Sequence, residues 1–352
     1  MERNETMEQN NKLSSIGEFG LIEKFKKGIL VAQRSVIVGI GDDAAVIKMP
    51  RGSKYQLFTT DMLVEGVHFD LSYTPPFQLG WKALSINISD IAAMGGIPTF
   101  ALVSLGLKKD TSVKFVEDIY RGIKRVAKRF SVDIVGGDTV SSSYLTINIS
   151  LLGEVERENL ILRRGAKPGD SIFVTGTLGD SAVGLALLKR ADHPLLTTQK
   201  TIRAHLTPLP RLKEARALAQ TQKVSSMIDV SDGLASDLIR IAEASKVGVK
   251  VYADKIPLSF SSKKGSKLLK KEPLDFALYG GEDYELLFTI PKSQVDKLSS
   301  QFTKKVKTHL QIIGEITPPE EGYQLLNYKG RKIRLKAGGY NHFLYNKGEK
   351  LK

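Results

Sequence analysis

Cysteine is absent from the 352-residue chain. Its absence excludes disulfide staples, thiolate zinc sites, iron–sulfur clusters and a cysteine nucleophile. Histidine is scarce, with five residues, so a bound metal would rest on oxygen rather than imidazole. No apolar run is long enough to cross a bilayer. The polar stretch from Met1 to Ser15 lacks the apolar core of a signal peptide. The expectation is a cytoplasmic protein with no membrane partner, in which the N-x-S matches at Asn87 and Asn148 carry no sugar. Also missing are a Walker A loop, the HRD and DFG sets of protein kinases, and a G-x-S-x-G elbow. If ATP is handled, it is handled outside the P-loop and protein-kinase classes.

Charge of one sign is in excess. The formal net charge is +14, which by itself suggests nucleic acid, an anionic membrane or a polyanionic small molecule. Much of the excess lies in 263–271, 304–307, 329–336 and 347–352, apart from every motif below. Those runs read as solvated faces and tails.

The length suggests two domains. Short β-rich runs, glycine turns and helical patterns alternate, an α/β or α+β signature. Strands are expected at 55–60, 99–105, 133–135, 145–151, 171–175, 226–229, 248–252 and 284–289. Helices are expected at 77–94, 113–130, 181–189, 210–220 and 234–246. Charge and a Pro-Gly pair mark a boundary within 156–167. The division is therefore a flexible tail 1–15, a domain 16–158 and a domain 159–352. The Ser/Lys-rich segment 259–271 reads as an exposed loop or helix.

Aspartates recur at strand ends and in glycine turns: GIGDDAAV (Asp42, Asp43), FTTDMLVEGVHF (Asp61, His68), NISDIAAMGG (Asp90), VGGDT (Asp138), IDVSDG (Asp229, Asp232) and YGGEDYE (Glu282, Asp283). Any one pair can be a plain turn. As a set they resemble the strand-end carboxylates of α/β ligand sites and suit a hard dication such as Mg²⁺. Asp90 stands on one helical face with Leu79, Ala83 and Ile86. A carboxylate there is costly unless paired or metal-bound; a helix cap or an ion pair with Arg or Lys is the alternative.

Other features are less specific. The 174–181 segment joins a strand to a helix and either offers N–H groups to an anion or is a tight turn capped by Ser181. Gly137-Asp138 and Gly280-Gly281-Glu282 either approach a phosphate closely or simply turn. Ser141, Ser142 and Ser143 have no histidine nearby, so a hydrolase triad is unsupported. His68 is the most suggestive histidine, and His342 fits a lid or a core. His193, His205 and His309 receive no role.

Taken in order, GEFGLIEKF, GIGDDAAV, TTDMLVEGVHF, NISDIAAMGG, VGGDT, RRGAKPGDSIFVTGTLGDSAVGLALL, IDVSDGLASDL and GGEDYELLFT resemble the thiamine-monophosphate kinase family of the aminoimidazole-ribonucleotide-synthetase-like superfamily. The resemblance runs from about Gly17 to about Phe343. It implies an N-terminal α/β domain that dimerises through a shared β-barrel and a C-terminal α/β domain. ATP and several Mg²⁺ ions would bind between them, and thiamine monophosphate would be phosphorylated to thiamine diphosphate. Carried over by motif, Asp43, Thr59, Thr60, Asp61, Asp90, Asp138, Asp229 and Asp232 would be metal ligands. Asp43, Asp61, Asp90, Asp138 and Asp229 would form the catalytic set. Tyr120, Gly137, Arg163 and Ser231 would contact ATP, with Tyr120 placed by its distance from GGDT. His68, Glu282 and Tyr340 would contact thiamine phosphate. Asn341 stands where the family often has Asp.

A phosphate monoester is mostly deprotonated at neutral pH, its second pKa being about 6. Transfer would then be direct and in-line, dependent on positioning and electrostatics. The competing readings are another ATP-dependent synthetase of the superfamily, a metal-dependent nucleic-acid-binding protein, and a non-catalytic assembly protein. Missing cysteine argues against the selenophosphate-synthetase branch. Lysines not interleaved with aromatics, and the lack of a binding module, argue against nucleic acid.

Overall fold

The computed structural model describes residues 13–26, 33–50, 52–190 and 200–339. Helix α1 (Leu13–Lys26) bends at Gly17. It begins within the stretch read as a tail, of which residues 1–12 lie outside the described residues.

The first sheet contains β1 (Val36–Val38), β2 (Ala45–Lys48), β3 (Lys54–Val64), β4 (Ile97–Leu107), β5 (Asp133–Ser141) and β6 (Thr146–Glu156). Their order is β1-β2-β3-β6-β4-β5. Only β4 and β5 pair in parallel, and a parallel pair needs a crossover. Helix α3 (Val113–Phe130) supplies it over the expected span, with the Ser112 hydroxyl accepting the Phe115 N–H. Helix α2 (Pro76–Ala93) joins β3 to β4 and is buried nearly all round. It crosses α3 so closely that a Cβ on Gly80 would sit 1.9 Å from the Ile119 carbonyl oxygen, and one on Gly122 2.0 Å from that of Phe77.

Strand β5 is longer than the expected 133–135, so VGGDT is strand rather than turn. Pairing with β4 continues to Leu107 opposite Ser141. Gly137 has φ +154°, and a Cβ there would lie 1.8 Å from the Val103 carbonyl oxygen. Its glycine is thus required by the neighbouring strand. Burial alternates along β6, as for a sheet covered on one face. The uncovered face carries Phe58, Met62, Phe100 and Leu102, 39–54% exposed. The sheet is open between β1 and β5, and no closed barrel occurs among the described residues.

The second sheet contains β7 (Asp170–Thr175), β8 (Ser226–Asp229), β9 (Gly248–Tyr252), β10 (Leu286–Pro291), β11 (Leu310–Thr317), β12 (Tyr323–Leu326) and β13 (Lys332–Arg334), in the order β13-β12-β9-β11-β7-β10-β8. Helices cover both faces. Ile172, Val174 and Leu287 pack with α7 (Leu234–Ser245) and α9 (Pro273–Tyr279). Phe173, Leu286 and Phe288 pack with α6 (Leu212–Ala219) and α10 (Val295–Lys305). Strand β7 is buried at every position, as expected of a strand covered on both sides. Helix α4 (Asp180–Leu188) follows β7, and α5 (Lys200–Leu206) packs against it. Segment 259–271 contains α8 (Phe260–Leu268), capped by the Ser259 hydroxyl. Among the described residues the cores interlock: Ala92 of α2 packs with the second sheet, and Leu160, Leu162 and Tyr284 pack with the first.

Candidate active site

Three motifs distant in sequence meet where α2 lies between the sheets. Asp43 comes from the turn before β2, Asp90 from the last turn of α2 and Asp229 from the end of β8. Each offers a carboxylate oxygen within 4.8 Å of the others. Thr59 and Asp61 point inward from β3, because alternate residues share a face. The Thr59 hydroxyl donates to Asp90 Oδ2 at 2.6 Å. Asp61 lies near enough to Asp90 for its charge to raise the Asp90 carboxyl. Ser89, beside Asp90, turns the other way and donates to Asp229 Oδ2 at 2.6 Å. One turn of α2 therefore serves carboxylates on both sheets.

The electrostatics are those of crowded acids. Burial first, then the neighbouring charges of Asp61, Asp229 and Asp43, push Asp90 well above the usual carboxylate range. Burial and Asp43 do the same to Asp229. Burial raises Asp61 to about 6, with Asp232 and Asp43 adding to it. Asp90 is neither a helix cap nor paired with Arg or Lys, as far as its described partners go. Arg163 is the counter-charge on one side. Its Nε and Nη2 both donate to Asp43 Oδ1, at 3.2 and 2.6 Å. Its backbone N–H donates to both oxygens of Asp42, a carboxyl that burial and Asp43 raise to about 7.

The second Asp43 oxygen is buried and has no hydrogen-bond partner. A buried carboxylate oxygen left unpaired costs several kcal/mol. With an all-oxygen donor set this fits a hard dication.

The other expected residues are more spread. Asp232 pairs with Arg240, and the Asp237 carboxylate accepts the N–H groups of Ser231 and Asp232 at 3.0 and 3.1 Å. Thr60 is on the opposite face of β3 from Thr59, its hydroxyl donating to Asn148 Oδ1 at 2.9 Å. Asp138 is exposed on β5 beside Gly137 and accepts the Thr139 N–H; it is outside the group of three. Tyr120 packs against the first sheet's core. His68 Nδ1 accepts the Val64 N–H at 3.0 Å. Tyr340, Asn341 and His342 lie outside the described residues. The preceding Gly339 donates its N–H to Ser236 Oγ at 3.0 Å.

The 174–181 segment is not a free anion site. Asp283 of the same chain accepts the N–H groups of Gly179 and Ser181 at 2.6 and 3.1 Å. The helix cap is Gly179, not Ser181. Glu282, next to Asp283, meets Lys82 Nζ at 2.5 Å and His205 Nδ1 at 3.0 Å. Sequence reasoning missed Ser89, Lys82, His205 and Asp237. For Lys82 and Ser89 a signal existed: polar residues seven apart, and so on one face, of a helix rich in apolar residues. For His205 none did.

Residues 41–155 match the AIR synthase related protein N-terminal domain, and 167–324 match the C-terminal domain. The chain is 42% identical to a thiamine-monophosphate kinase of Aquifex aeolicus, over 94% of this chain and 100% of that one. It is 39% identical to one of Buchnera aphidicola, over 93% and 99%. The structure of AaThiL complexed with AMPPCP and TMP superposes with a TM-score of 0.80 at 38% identity, covering 94% of this chain and 99% of that one. The fold is therefore that of the AIR synthase related class. Within that class the chain belongs to the thiamine-monophosphate kinase family.

A dication held by these acids would have a thermal signature. Acids whose pKa is raised on folding stabilise the protein below their unfolded pKa and lose that contribution as pH rises through the folded one. For Asp61 the loss falls around pH 6. A dication needs the ionised forms, so Mg²⁺ should raise the melting temperature more at pH 8 than at pH 5.5. At one hundred times its dissociation constant a ligand contributes about 2.7 kcal/mol, several degrees for a chain of this size. Equal melting curves with Mg²⁺ and with EDTA at pH 8 would remove the ion from this cleft.

Proposed function

We propose that the protein transfers the γ-phosphoryl group of ATP to thiamine monophosphate, giving ADP and thiamine diphosphate. What carries this is the match, over nearly the whole of both chains, to a structure holding AMPPCP, an ATP analogue, together with TMP. The curated relatives named thiamine-monophosphate kinase support it.

In the reaction, a terminal oxygen of thiamine monophosphate bonds to the γ-phosphorus. The bond from that phosphorus to the β,γ-bridging oxygen breaks, and its electron pair leaves on ADP. The attacking oxygen is already deprotonated at neutral pH, so the site needs no general base. Asp43, Asp61, Asp90 and Asp229 would hold Mg²⁺, with Thr59, Asp138 and Asp232 completing the set; the Thr60 side chain faces the other side of β3, toward Asn148, and drops out of it. Mg²⁺, once bound, supplies the positive charge that lets two polyanions approach. Arg163 adds a fixed guanidinium beside Asp43 and, with Tyr120, Gly137 and Ser231, is assigned to ATP. His68, Glu282 and Tyr340 are assigned to thiamine phosphate. Residues 16–158 and 159–352 form the two domains, a division supported by the break between the sheets, while helix α1 already begins at Leu13 within the stretch 1–15. Work in the cytoplasm accords with this metabolite substrate.

We assign a homodimer to the uncovered face of the first sheet. Its Phe58, Met62, Phe100 and Leu102 form an apolar surface of the kind that marks an interface, and a second copy placed there would close the two sheets into the shared barrel. Leu102→Glu is expected to convert a dimer into a monomer in light scattering; a wild-type monomer, or an unchanged dimer in the variant, refutes this. Asp138, exposed on the outer strand of the same sheet, should be dispensable for folding. Asp138→Asn should keep the melting temperature and lose most of the turnover at saturating Mg²⁺. Near-normal turnover would strike it from the ligand set.

The function itself is tested by ADP release from ATP and Mg²⁺, with and without thiamine monophosphate. Strict dependence on thiamine monophosphate is expected. Release only with another acceptor would move the chain to a different member of the class, and salt-sensitive nucleic-acid binding without turnover would overturn the kinase reading.

A further inference from the structure

The loop 280–285 departs from ordinary backbone geometry twice. Glu282 has φ +66° and Tyr284 φ +50°, a left-handed region that residues other than glycine enter at a cost. The surroundings hold the loop there from four sides. Asp283 fills the start of α4, and Tyr284 is buried in the first sheet's core. Glu285 takes Arg211 Nε and the Thr175 hydroxyl, each at 2.6 Å. Glu282 is anchored by Lys82, which reaches it from α2 across the boundary between the sheets.

Lys82 is an unusual residue for its place. Its side chain is 3% exposed, while that of Glu282 is 26% exposed. A buried ammonium on a helix packed nearly all round needs a partner, and Glu282 Oε1 at 2.5 Å is that partner. Glu282 Oε2 takes His205 Nδ1 at 3.0 Å, and the same nitrogen lies 3.2 Å from Ser181 Oγ. Both Glu282 oxygens are thereby fixed, yet the carboxylate keeps an open edge.

We propose that Lys82 is a positioning residue for the phosphate acceptor. It acts through Glu282, holding that carboxylate in one orientation from which it meets the acceptor. The ligand presented to Glu282 would be the cationic or N–H-bearing portion of the acceptor rather than its phosphate, since a carboxylate repels the latter. This rests on the proposal that the acceptor is thiamine monophosphate.

The test is a double-mutant cycle of Lys82→Met and Glu282→Gln, with Lys82→Arg as the conservative variant. KM for thiamine monophosphate should rise about tenfold in Lys82→Met, the scale of one charge-assisted hydrogen bond. KM for ATP and the Mg²⁺-induced melting shift should stay within about twofold, and Lys82→Arg should recover most of the loss. Removing both charges relieves the unpaired buried group, so the double variant keeps the measurement possible if Lys82→Met folds poorly. Because Lys82 acts through Glu282, the double variant should be no worse than Glu282→Gln alone. Additive losses, an unchanged acceptor KM, or equal rises for ATP and acceptor would each overturn the proposal. Wild-type enzyme that ignores thiamine monophosphate would instead overturn the functional reading, before any variant is made.

Discussion

Asp229→Asn lowers turnover by at least about a hundredfold, the scale on which removal of one electrostatic group from a phosphoryl or acyl site is felt, and leaves the fold intact. Asp229 ends β8, is 1% exposed, and accepts the Ser89 hydroxyl. An amide of the same shape keeps an oxygen for Ser89 but contributes no charge to a dication. Without metal the substitution does not destabilise. Burial and Asp43 already raise the Asp229 pKa well above its ordinary value, so ionising it costs free energy that the amide avoids. The combination is diagnostic: a melting temperature in EDTA equal to or above wild type, a smaller Mg²⁺ shift, and turnover near background. Turnover within threefold of wild type at saturating Mg²⁺ would exclude Asp229 from the catalytic set.

Arg163→Met acts in the opposite sense, on stability as well as turnover. The guanidinium holds Asp43 through two N–H groups and lies beside Asp42. Its side chain is 20% exposed and that of Asp43 1%. Removing one member of such a pair leaves a buried charge uncompensated, and the expected loss is about 3 kcal/mol in urea unfolding. Mg²⁺ should restore part of it, because a cation on Asp43 replaces part of the missing charge. KM for ATP should rise. Arg163→Lys should recover little, since an ammonium cannot reproduce the two-pronged contact. A stability loss below about 1 kcal/mol, the size of an exposed pair, would show that Arg163 is not the counter-charge of this cleft.

Much of this was legible in sequence where the signal was periodic. Helix α3 runs over its expected span, and α7 and β9 begin where expected, because apolar spacing and a Ser or Gly start are local properties. The face linking Leu79, Ala83, Ile86 and Asp90 is real: the three apolar residues are at most 5% exposed. Where local signal and tertiary demand diverged, tertiary demand won. Gly-Gly-Asp in VGGDT looks like a turn, yet β4 lies against it and keeps it extended. Strand β10 starts at Leu286 rather than Tyr284, since residues 282–285 are each tied to a different partner. The helix start after Thr177 looks like an anion cradle, and Asp283, about a hundred residues later, already fills it.

The sequence by itself determined which donors are available: carboxylates in ordered motifs, no thiol, few imidazoles, and thus oxygen atoms for any metal the site would take. It determined the family too, through the order of its motifs. Only the tertiary structure decided which carboxylates share a site. Asp43, Asp90 and Asp229 converge because α2 is packed between two sheets and presents Ser89 to one and Asp90 to the other. Only it decided that Lys82 and His205 join Glu282. A helix face is written in neighbouring residues, whereas a meeting of α2, α5 and the 280–285 loop depends on how separately formed elements pack, and that is set by burial over the whole chain.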